Sequence, residues 1–200
     1  MKHAAPRESG CTIALVRHAR SAHIQSDWIT AAGFRAWLEE YESAGIAADQ
    51  FVPGDVAELA QRAGAVVSSN APRALATARL LAPDREIVVS PLVAELPLDA
   101  PKLGRLRLPL SAWAFPVGMR TAVLTLRGQY PAPAELARVS AAAEWLGTLA
   151  SEHSLVVVVT HAWFRQQLAA RLRRDGWEGE HSRFSVRHWS TWLLRQTRHR

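Results

Sequence analysis

Four short runs of aliphatic and β-branched residues place the strongest constraint on the fold of this chain. They lack the polar alternation of a sheet with one wet face, so both faces of each strand are expected to be covered. Longer helical patterns separate the runs. These features predict an α/β fold, a three-layer sandwich with a mostly parallel central sheet flanked by helices. The runs are CTIALV at 11–16, AGAVVSS at 63–69, EIVVS at 86–90 and SLVVVVT at 154–160, and RHWSTWLLRQ at 187–196 predicts a final edge strand.

Three helices stand out between these strands. Pro72 suits the first turn of a helix that runs to about Leu81, with Ser69 or Asn70 as its cap. A second helix is predicted over 134–152, and a third over 163–174, whose apolar stripe consists of Phe164, Leu168 and Leu172.

The length of 200 residues fits one domain, 1–200. Residues 96–133 contain six prolines and show no clear period. An irregular segment of that length in a compact domain is usually a binding insertion, so we predict a cap over a substrate site.

Composition excludes several classes of protein. The longest apolar run, 155–159, is too short to span a bilayer, and the N-terminus lacks the apolar region of a signal peptide, so we expect a cytoplasmic protein without a membrane partner. Cys11 is the only cysteine, and the eight histidines show no common metal-ligand spacing. We therefore expect no metal and no cofactor.

The net charge of +6 is concentrated near the C-terminus, because residues 165–200 contain nine arginines and three acids (9 − 3 = +6). Such a segment could bind nucleic acid. However, 22 of the 24 basic residues are arginine, which indicates a coding bias, and no nucleic-acid-binding signature accompanies them. We do not expect a nucleic-acid partner.

Charged side chains follow the predicted strands where parallel strands end. Arg17 and His18 follow the first strand, Arg73 and Glu95 follow the second and third, and His161 follows the fourth. The carboxyl ends of parallel strands meet at one edge, where open α/β sheets bind ligands. Forked arginine donors and helix N-termini at that edge favour a phosphoryl group. A histidine with an ordinary pKa near ~6.5 is largely neutral, and hence nucleophilic, at neutral pH.

Four segments of the chain together resemble the histidine phosphatase superfamily, the phosphoglycerate-mutase-like proteins. They are LVRHARS, SSNAPRALATA, the isolated Glu95 and VTHAWF, and they occur in the family's order from about residue 11 to 174. The resemblance implies a phosphomonoester hydrolase that needs no metal. Its substrate would be a small phosphorylated metabolite or a phosphoprotein.

The resemblance also implies roles for individual residues. His18 matches the nucleophile that becomes transiently phosphorylated, and Glu95 matches the proton donor that later deprotonates water. Arg17, Arg73 and His161 match residues that hold the phosphate oxygens. Ser21, three residues after His18, is a further candidate phosphate ligand.

The chain departs from the family pattern at several positions. Alanine replaces the usual glycine after each histidine, at Ala19 and Ala162, and would be strained if φ were positive there. The mutases' Trp-Asn pair reads His23-Ile24, which favours a phosphatase over a mutase. A phosphoglycerate-type mutase, a phosphohistidine protein phosphatase and a non-catalytic relative that binds a phosphorylated ligand remain alternatives.

Several further residues are candidates for the pocket and its surroundings. Trp28 and Trp113 are candidate lining residues, and Arg105 and Arg107 hint at an anionic organic phosphate. Arg165, four residues after His161, is predicted to lie on the surface of its helix.

Overall fold

A five-stranded sheet forms the centre of the fold in the computed structural model, which describes residues 10–24, 27–98, 100–179 and 187–196. Its strands are β1 (Cys11–Arg17), β3 (Ala65–Ser68), β4 (Ile87–Val89), β6 (Leu155–Thr160) and β7 (Thr191–Gln196), and a separate two-stranded sheet pairs β2 (Trp28–Ile29) with β5 (Leu108–Pro109). The strand order is β4-β3-β6-β1-β7. The first four strands in this order are parallel, and β7 pairs antiparallel with β1 at the edge.

Successive residues of β1 enter two different cores, which explains why its sequence shows no polar alternation. Ile13 and Leu15 pack into one apolar cluster with helices α5 (Pro133–His153) and α6 (Ala162–Arg174). Ala14 and Val16 pack into another with α2 (Gly54–Arg62) and α3 (Pro72–Leu81). The predicted three-layer α/β sandwich with a mostly parallel sheet is confirmed. The other two of the six α-helices of the described residues are α1 (Ala31–Ser43) and α4 (Ala114–Leu126).

The predicted helices and edge strand are present, with bounds that shift by a few residues. Helix α3 spans 72–81 as expected, but its N-cap is Ala71, which makes no side-chain capping bond. Ser69 instead accepts a hydrogen bond from the Ala71 N–H at 3.2 Å. Residues 180–186 and 197–200, which belong to the basic C-terminal segment, lie outside the described residues.

The segment 96–133 is more regular than its sequence indicates. It contains β5, a 3₁₀ turn at Leu110–Trp113 and the thirteen-residue helix α4. Together with α1 it forms a third apolar cluster around Phe34, Trp113 and Val117. This cluster is separate from the two that cover the sheet. Within the described part of the chain, no helix is long and apolar enough to cross a membrane.

Candidate active site

The two histidines of the predicted site lie at the ends of neighbouring parallel strands. Arg17, the last residue of β1, is in register with Thr160, the last residue of β6. The His18 N–H donates to the Thr160 carbonyl at 3.0 Å, and the His18 and His161 ring centroids are 5.1 Å apart. Sheet register therefore brings together two residues that are 143 positions apart in the sequence (161 − 18).

One hydrogen bond defines the tautomer of His18. Its Nδ1 lies 2.7 Å from the main-chain carbonyl of Ala19, and because a carbonyl can only accept, Nδ1 carries the proton. In the neutral ring the lone pair is then on Nε2. The Ala19 N–H in turn donates to the Thr77 hydroxyl on α3 at 2.9 Å, which fixes the turn after β1.

The neutral form of His18 is strongly favoured in this environment. The side chain is buried, and burial followed by the charge of Arg17 lowers the pKa of His18 well below its ordinary value. A neutral imidazole with a free Nε2 is the nucleophilic form.

Two guanidinium groups lie beside His18 on the same cavity. Burial is the largest cause that lowers the pKa of Arg17, against the attraction of Tyr41 and Glu95. Arg73 is 1% exposed and is held by the Tyr41 carbonyl at 3.0 Å and by a Glu42 carboxylate oxygen at 3.1 Å. Within the described residues, Nε of Arg17 and Nε of Arg73 are buried without a hydrogen-bond partner. Buried donors without partners are uncommon, and here a bound anion would satisfy them.

Tyr41 and Glu42, at the end of α1, are site residues that the sequence analysis missed. The Tyr41 hydroxyl lies 3.4 Å from Nε2 of His18, and its ring lies 4.3 Å from the Arg73 guanidinium carbon. No motif marks either residue. The only available signal was the helical spacing of Phe34, Trp37 and Tyr41, which puts three aromatic side chains on one face of α1.

Glu95 lines the cavity and also binds the first turn of α6. Its carboxylate accepts N–H bonds from Phe164 at 2.8 Å, from Leu96 at 3.0 Å and from Trp163 at 3.3 Å. Burial raises the pKa of Glu95, and these N–H donors oppose that rise. A raised pKa keeps a larger fraction of the carboxyl protonated, as a proton donor requires.

His161 is fully buried behind His18 and is not among the residues that line the cavity. Its Nε2 lies 2.8 Å from the Ser69 hydroxyl, and among the described residues nothing hydrogen bonds its buried Nδ1. Burial is the largest cause that lowers the pKa of His161 well below its ordinary value.

Ser21 does not reach the cavity lining in the structure. Its side chain is buried, and the hydroxyl oxygen accepts the N–H of His23 at 3.1 Å. The structure thus brings Arg17, His18, Arg73 and Glu95 to one cavity, with His161 against His18 and Ser21 apart.

The cavity has a volume of about 610 Å³, within the range of small-molecule sites. Its polar end consists of Arg17, His18, Arg73, Glu95 and Asn70, and its remaining walls are mostly apolar. Across the described residues, no group of three or more His, Cys, Asp or Glu side chains is placed to hold a metal ion.

Four further candidates for the pocket lie outside the cavity lining. Trp28 is 59% exposed, and Trp113 is buried in the third apolar cluster, where it stacks on Phe34 at 5.1 Å. Arg105 and Arg107 are exposed, and neither they nor the two tryptophans line the cavity.

The prediction that Arg165 lies on the surface is wrong. Its side chain is fully buried and donates to the Ser190 carbonyl at 2.7 Å and to the Ser190 hydroxyl at 2.8 Å. Its guanidinium also lies 4.1 Å from the centroid of the Trp192 ring. The packing of β7 against β1 puts these acceptors beside α6, which helical periodicity alone could not indicate.

A second missed element is the turn at 187–190 before β7. His188 Nδ1 lies 3.0 Å from the main-chain carbonyl of His18, and the Trp189 N–H donates to the Arg17 carbonyl at 3.1 Å. Trp189 has φ +61°, the left-handed conformation that non-glycine residues seldom adopt. The turn therefore holds the backbone on both sides of the Arg17–His18 bond.

The two alanines that replace family glycines are not strained by their φ angles. Among the described non-glycine residues, only Ser154 and Trp189 have positive φ. Ala19 is fully buried against Thr77, and Ala162 begins α6. Neither position requires a glycine conformation.

Comparison with known proteins gives a likeness of structure and not of sequence. No protein-family model matches the chain, and no curated protein sequence matches it. The product of the open reading frame Rv3214 from Mycobacterium tuberculosis is 18% identical, with a TM-score of 0.50 over 93% of this chain and 94% of that chain. A mutant phosphoserine phosphatase from Entamoeba histolytica, in complex with phosphoserine, is 17% identical, with a TM-score of 0.49 over 82% and 80%. The alpha-ribazole phosphatase from Shigella flexneri is 16% identical, with a TM-score of 0.43 over 80% and 78%.

The match to the Mycobacterium tuberculosis protein extends over nearly the whole of both chains. At 18% identity it supports a statement about fold and none about substrate. The chain therefore has the same α/β fold as the Mycobacterium tuberculosis protein.

Proposed function

We propose that this chain is a histidine phosphatase that hydrolyses a phosphomonoester through a phosphohistidine on His18, without a metal. The observation that carries the proposal is the state of His18. Its Nδ1 is bonded to the Ala19 carbonyl, and its Nε2 is directed to a cavity that also presents Arg17 and Arg73. A neutral nucleophile beside two fixed cations suits attack on a phosphoryl group, whose charge the cations offset.

The reaction has two steps in this proposal. Nε2 of His18 attacks phosphorus, the bond from phosphorus to the ester oxygen breaks, and the Glu95 carboxyl gives its proton to the departing oxygen. A water molecule then gives a proton to the Glu95 carboxylate and attacks phosphorus, and the phosphorus–nitrogen bond breaks. Free phosphate leaves, and His18 and Glu95 return to their starting states.

His161 supports this site in the proposal from behind His18. It is neutral because burial depresses its pKa, and its ring lies 5.1 Å from that of His18. Its Nδ1, buried without a partner among the described residues, is a polar atom that a phosphoryl oxygen could engage after a small rearrangement. Ser21 remains a predicted phosphate ligand, although its hydroxyl now accepts the His23 N–H.

The segment 96–133 is the cap of the site in this proposal. Leu98, Leu110 and Val117 from this segment line the cavity. The same segment shares an apolar cluster with α1 and not with the sheet.

The test is release of phosphate from 4-nitrophenyl phosphate in the presence of a chelator. We expect turnover by the unmodified protein and a loss of at least about a thousandfold in His18→Ala. His153→Ala, at an exposed histidine outside the cavity, is the matched control and should keep full activity. Rapid quenching with a radiolabelled ester should trap an acid-labile label on the protein, absent in His18→Ala.

The alternative functions give different results in the same experiments. A mutase would isomerise phosphoglycerate without net release of phosphate. A phosphohistidine protein phosphatase would dephosphorylate a phosphohistidine protein in preference to small esters. A non-catalytic relative would bind orthovanadate but turn over no ester, and equal activity in His18→Ala would contradict the proposed mechanism.

A further inference from the structure

The cavity continues from its phosphate end into an almost wholly apolar chamber. One wall comes from α1, which contributes Phe34, Trp37 and Leu38. The other wall comes from the cap, 96–133, and consists of Leu96, Pro97, Leu98, Leu110, Ala114 and Val117. Any group attached to a phosphate held by Arg17 and Arg73 therefore has to lie against these side chains.

The chamber is built by packing that does not depend on a ligand. Phe34 stacks on Trp113 with ring centroids 5.1 Å apart and on Trp37 at 5.8 Å. Trp113 is fully buried, and its indole N–H donates to the Ile29 carbonyl at 3.2 Å. Preformed walls of this kind bind an apolar group with little loss of side-chain freedom.

The charges around the chamber disfavour a second anion on the ligand. Of the described residues that line it, Arg17 and Arg73 are the only cations, and both belong to the phosphate end. The other charged lining residues besides Glu95 are Glu39 and Glu42. A carboxylate or second phosphate on the leaving group would meet either these carboxylates or an apolar wall, with no cation left to pair with it.

We propose that the substrate is a phosphomonoester with an apolar, uncharged leaving group that fills the chamber between α1 and the cap. This inference rests on the proposed phosphatase function and narrows it to one class of ester. Phosphorylated amino acids, phosphoglycerates and nucleoside polyphosphates, which carry further charges, are poor substrates on this view.

The experiment compares n-butyl, n-hexyl and n-octyl phosphate with O-phosphoserine and 3-phosphoglycerate on the full chain. Each buried methylene should raise kcat/KM by about threefold to fourfold, so hexyl phosphate should exceed butyl phosphate by about tenfold. Both charged esters should fall at least about a hundredfold below hexyl phosphate. A rate independent of chain length, or a preference for either charged ester, would overturn the inference.

Two variants test the chamber itself. Leu110→Gln should reduce the gain per methylene, whereas Leu136→Gln, at a leucine that is 46% exposed on α5, should leave the series unchanged. If Leu110→Gln does not fold, Glu39→Gln replaces it, since Glu39 is exposed on α1. Glu39→Gln should raise kcat/KM for 3-phosphoglycerate several-fold more than for hexyl phosphate, because 3-phosphoglycerate carries a carboxylate and hexyl phosphate has no second charge; Glu58→Gln on α2 is its control. An equal effect of Glu39→Gln on both esters would also overturn the inference.

The two levels of the proposal fail in different ways. If none of the esters releases phosphate, the phosphatase function itself is wrong. If esters are hydrolysed but without the preference for apolar groups, the function stands and the substrate class is wrong.

Discussion

The phenolic hydroxyl of Tyr41 lies 3.4 Å from Nε2 of His18, the atom that attacks phosphorus in the proposed reaction. Burial raises the pKa of Tyr41, so the group is a neutral phenol. The ring is fixed between Trp37, whose centroid is 4.8 Å away, and the guanidinium of Arg73. Because attack requires phosphorus within about 3–3.5 Å of the nitrogen, the hydroxyl must give way when an ester binds.

Tyr41→Phe removes that competing hydroxyl and keeps the ring that packs against Trp37 and Arg73. A long, neutral hydrogen bond is worth about 0.5–1 kcal/mol, so orthovanadate should bind about twofold to fivefold more tightly. The inhibition constant of vanadate against 4-nitrophenyl phosphate measures this. Weaker binding in the variant would instead mean that the hydroxyl is itself a ligand of the phosphoryl group.

Glu42 competes with a bound phosphate for Arg73, because its carboxylate accepts a hydrogen bond from the Arg73 guanidinium at 3.1 Å. Arg73 is 1% exposed and Glu42 is 61% exposed, so the arginine is fixed and the carboxylate can move into solvent. Glu42→Gln should lower KM for 4-nitrophenyl phosphate by about threefold at low ionic strength, and the difference should shrink as salt is added.

A glutamate of similar exposure in another ion pair provides the control for Glu42. Glu144 is 73% exposed and lies 3.7 Å from Arg171, outside the cavity. Glu144→Gln should leave KM unchanged at every salt concentration. A similar fall in KM in both variants would trace the effect to net charge and not to Arg73.

Glu95 should control the alkaline side of the pH profile. A general acid acts only while protonated, and burial raises the pKa of Glu95, so kcat should fall as pH rises through a value above that of an ordinary carboxyl. Glu95→Gln should abolish this limb and slow the hydrolysis of alkyl phosphates by about a hundredfold or more. With 4-nitrophenyl phosphate, whose leaving group needs little protonation, the loss should be smaller.

Glu95 also accepts N–H bonds from Phe164 and Trp163, so the substitution needs a structural control. Urea unfolding of Glu95→Gln separates the two roles. An equal loss for both kinds of ester, together with an unchanged pH profile, would show that Glu95 acts only through the first turn of α6.

The sheet and the strand-end residues were predictable because burial on both faces leaves a direct signature in sequence. Ile13 and Ala14 enter opposite cores, so neither could be polar. Parallel pairing then places His18 and His161 side by side whatever the intervening loops do. The start of α3 was also predictable from Pro72, because a proline at the first helical position loses no helical hydrogen bond.

Features that depend on contacts between distant segments could not be predicted in this way. Helix α4 contains Pro116 and Gly118, which indicate irregular structure in a sequence. Pro116 lies in the first turn, however, where its missing N–H costs no helical bond. Tyr41 and Arg165 acquire their partners only after α1 meets the strand ends and β7 pairs with β1, and no local pattern records those contacts.

The buried guanidinium of Arg165 should stabilise the fold, because two of its nitrogens donate hydrogen bonds to Ser190. Lysine keeps the charge but cannot bind the Ser190 carbonyl and hydroxyl together or lie flat over Trp192. We expect Arg165→Lys to lower the free energy of unfolding by about 2–4 kcal/mol in urea titrations. Arg174→Lys, at an exposed arginine of the same helix, should change it by less than about 0.5 kcal/mol. If the two substitutions lower the free energy of unfolding equally, the buried contacts of Arg165 do not stabilise the fold.

His188 should make the folded state sensitive to acid. Burial, followed by the charge of Arg17, lowers the pKa of His188 to about 4, while in the unfolded chain it titrates near ~6.5. The unfolded state therefore binds more protons below pH ~6.5, and stability, constant above that value, should fall as pH decreases toward 4. His18 and His161, whose pKa values are also depressed, should act in the same direction.

The contribution of His188 can be isolated with His188→Asn, whose amide can still donate to the His18 carbonyl as Nδ1 does. One proton corresponds to a slope of about 1.4 kcal/mol per pH unit, reduced here because His188 is only half-buried. Integrated from pH 6.5 to pH 5, the reduced slope corresponds to about 1 kcal/mol. Over this interval the variant should lose that much less stability than the unmodified chain, as measured by urea titrations. Parallel stability curves for the two proteins would contradict the lowered pKa of His188 in the folded state.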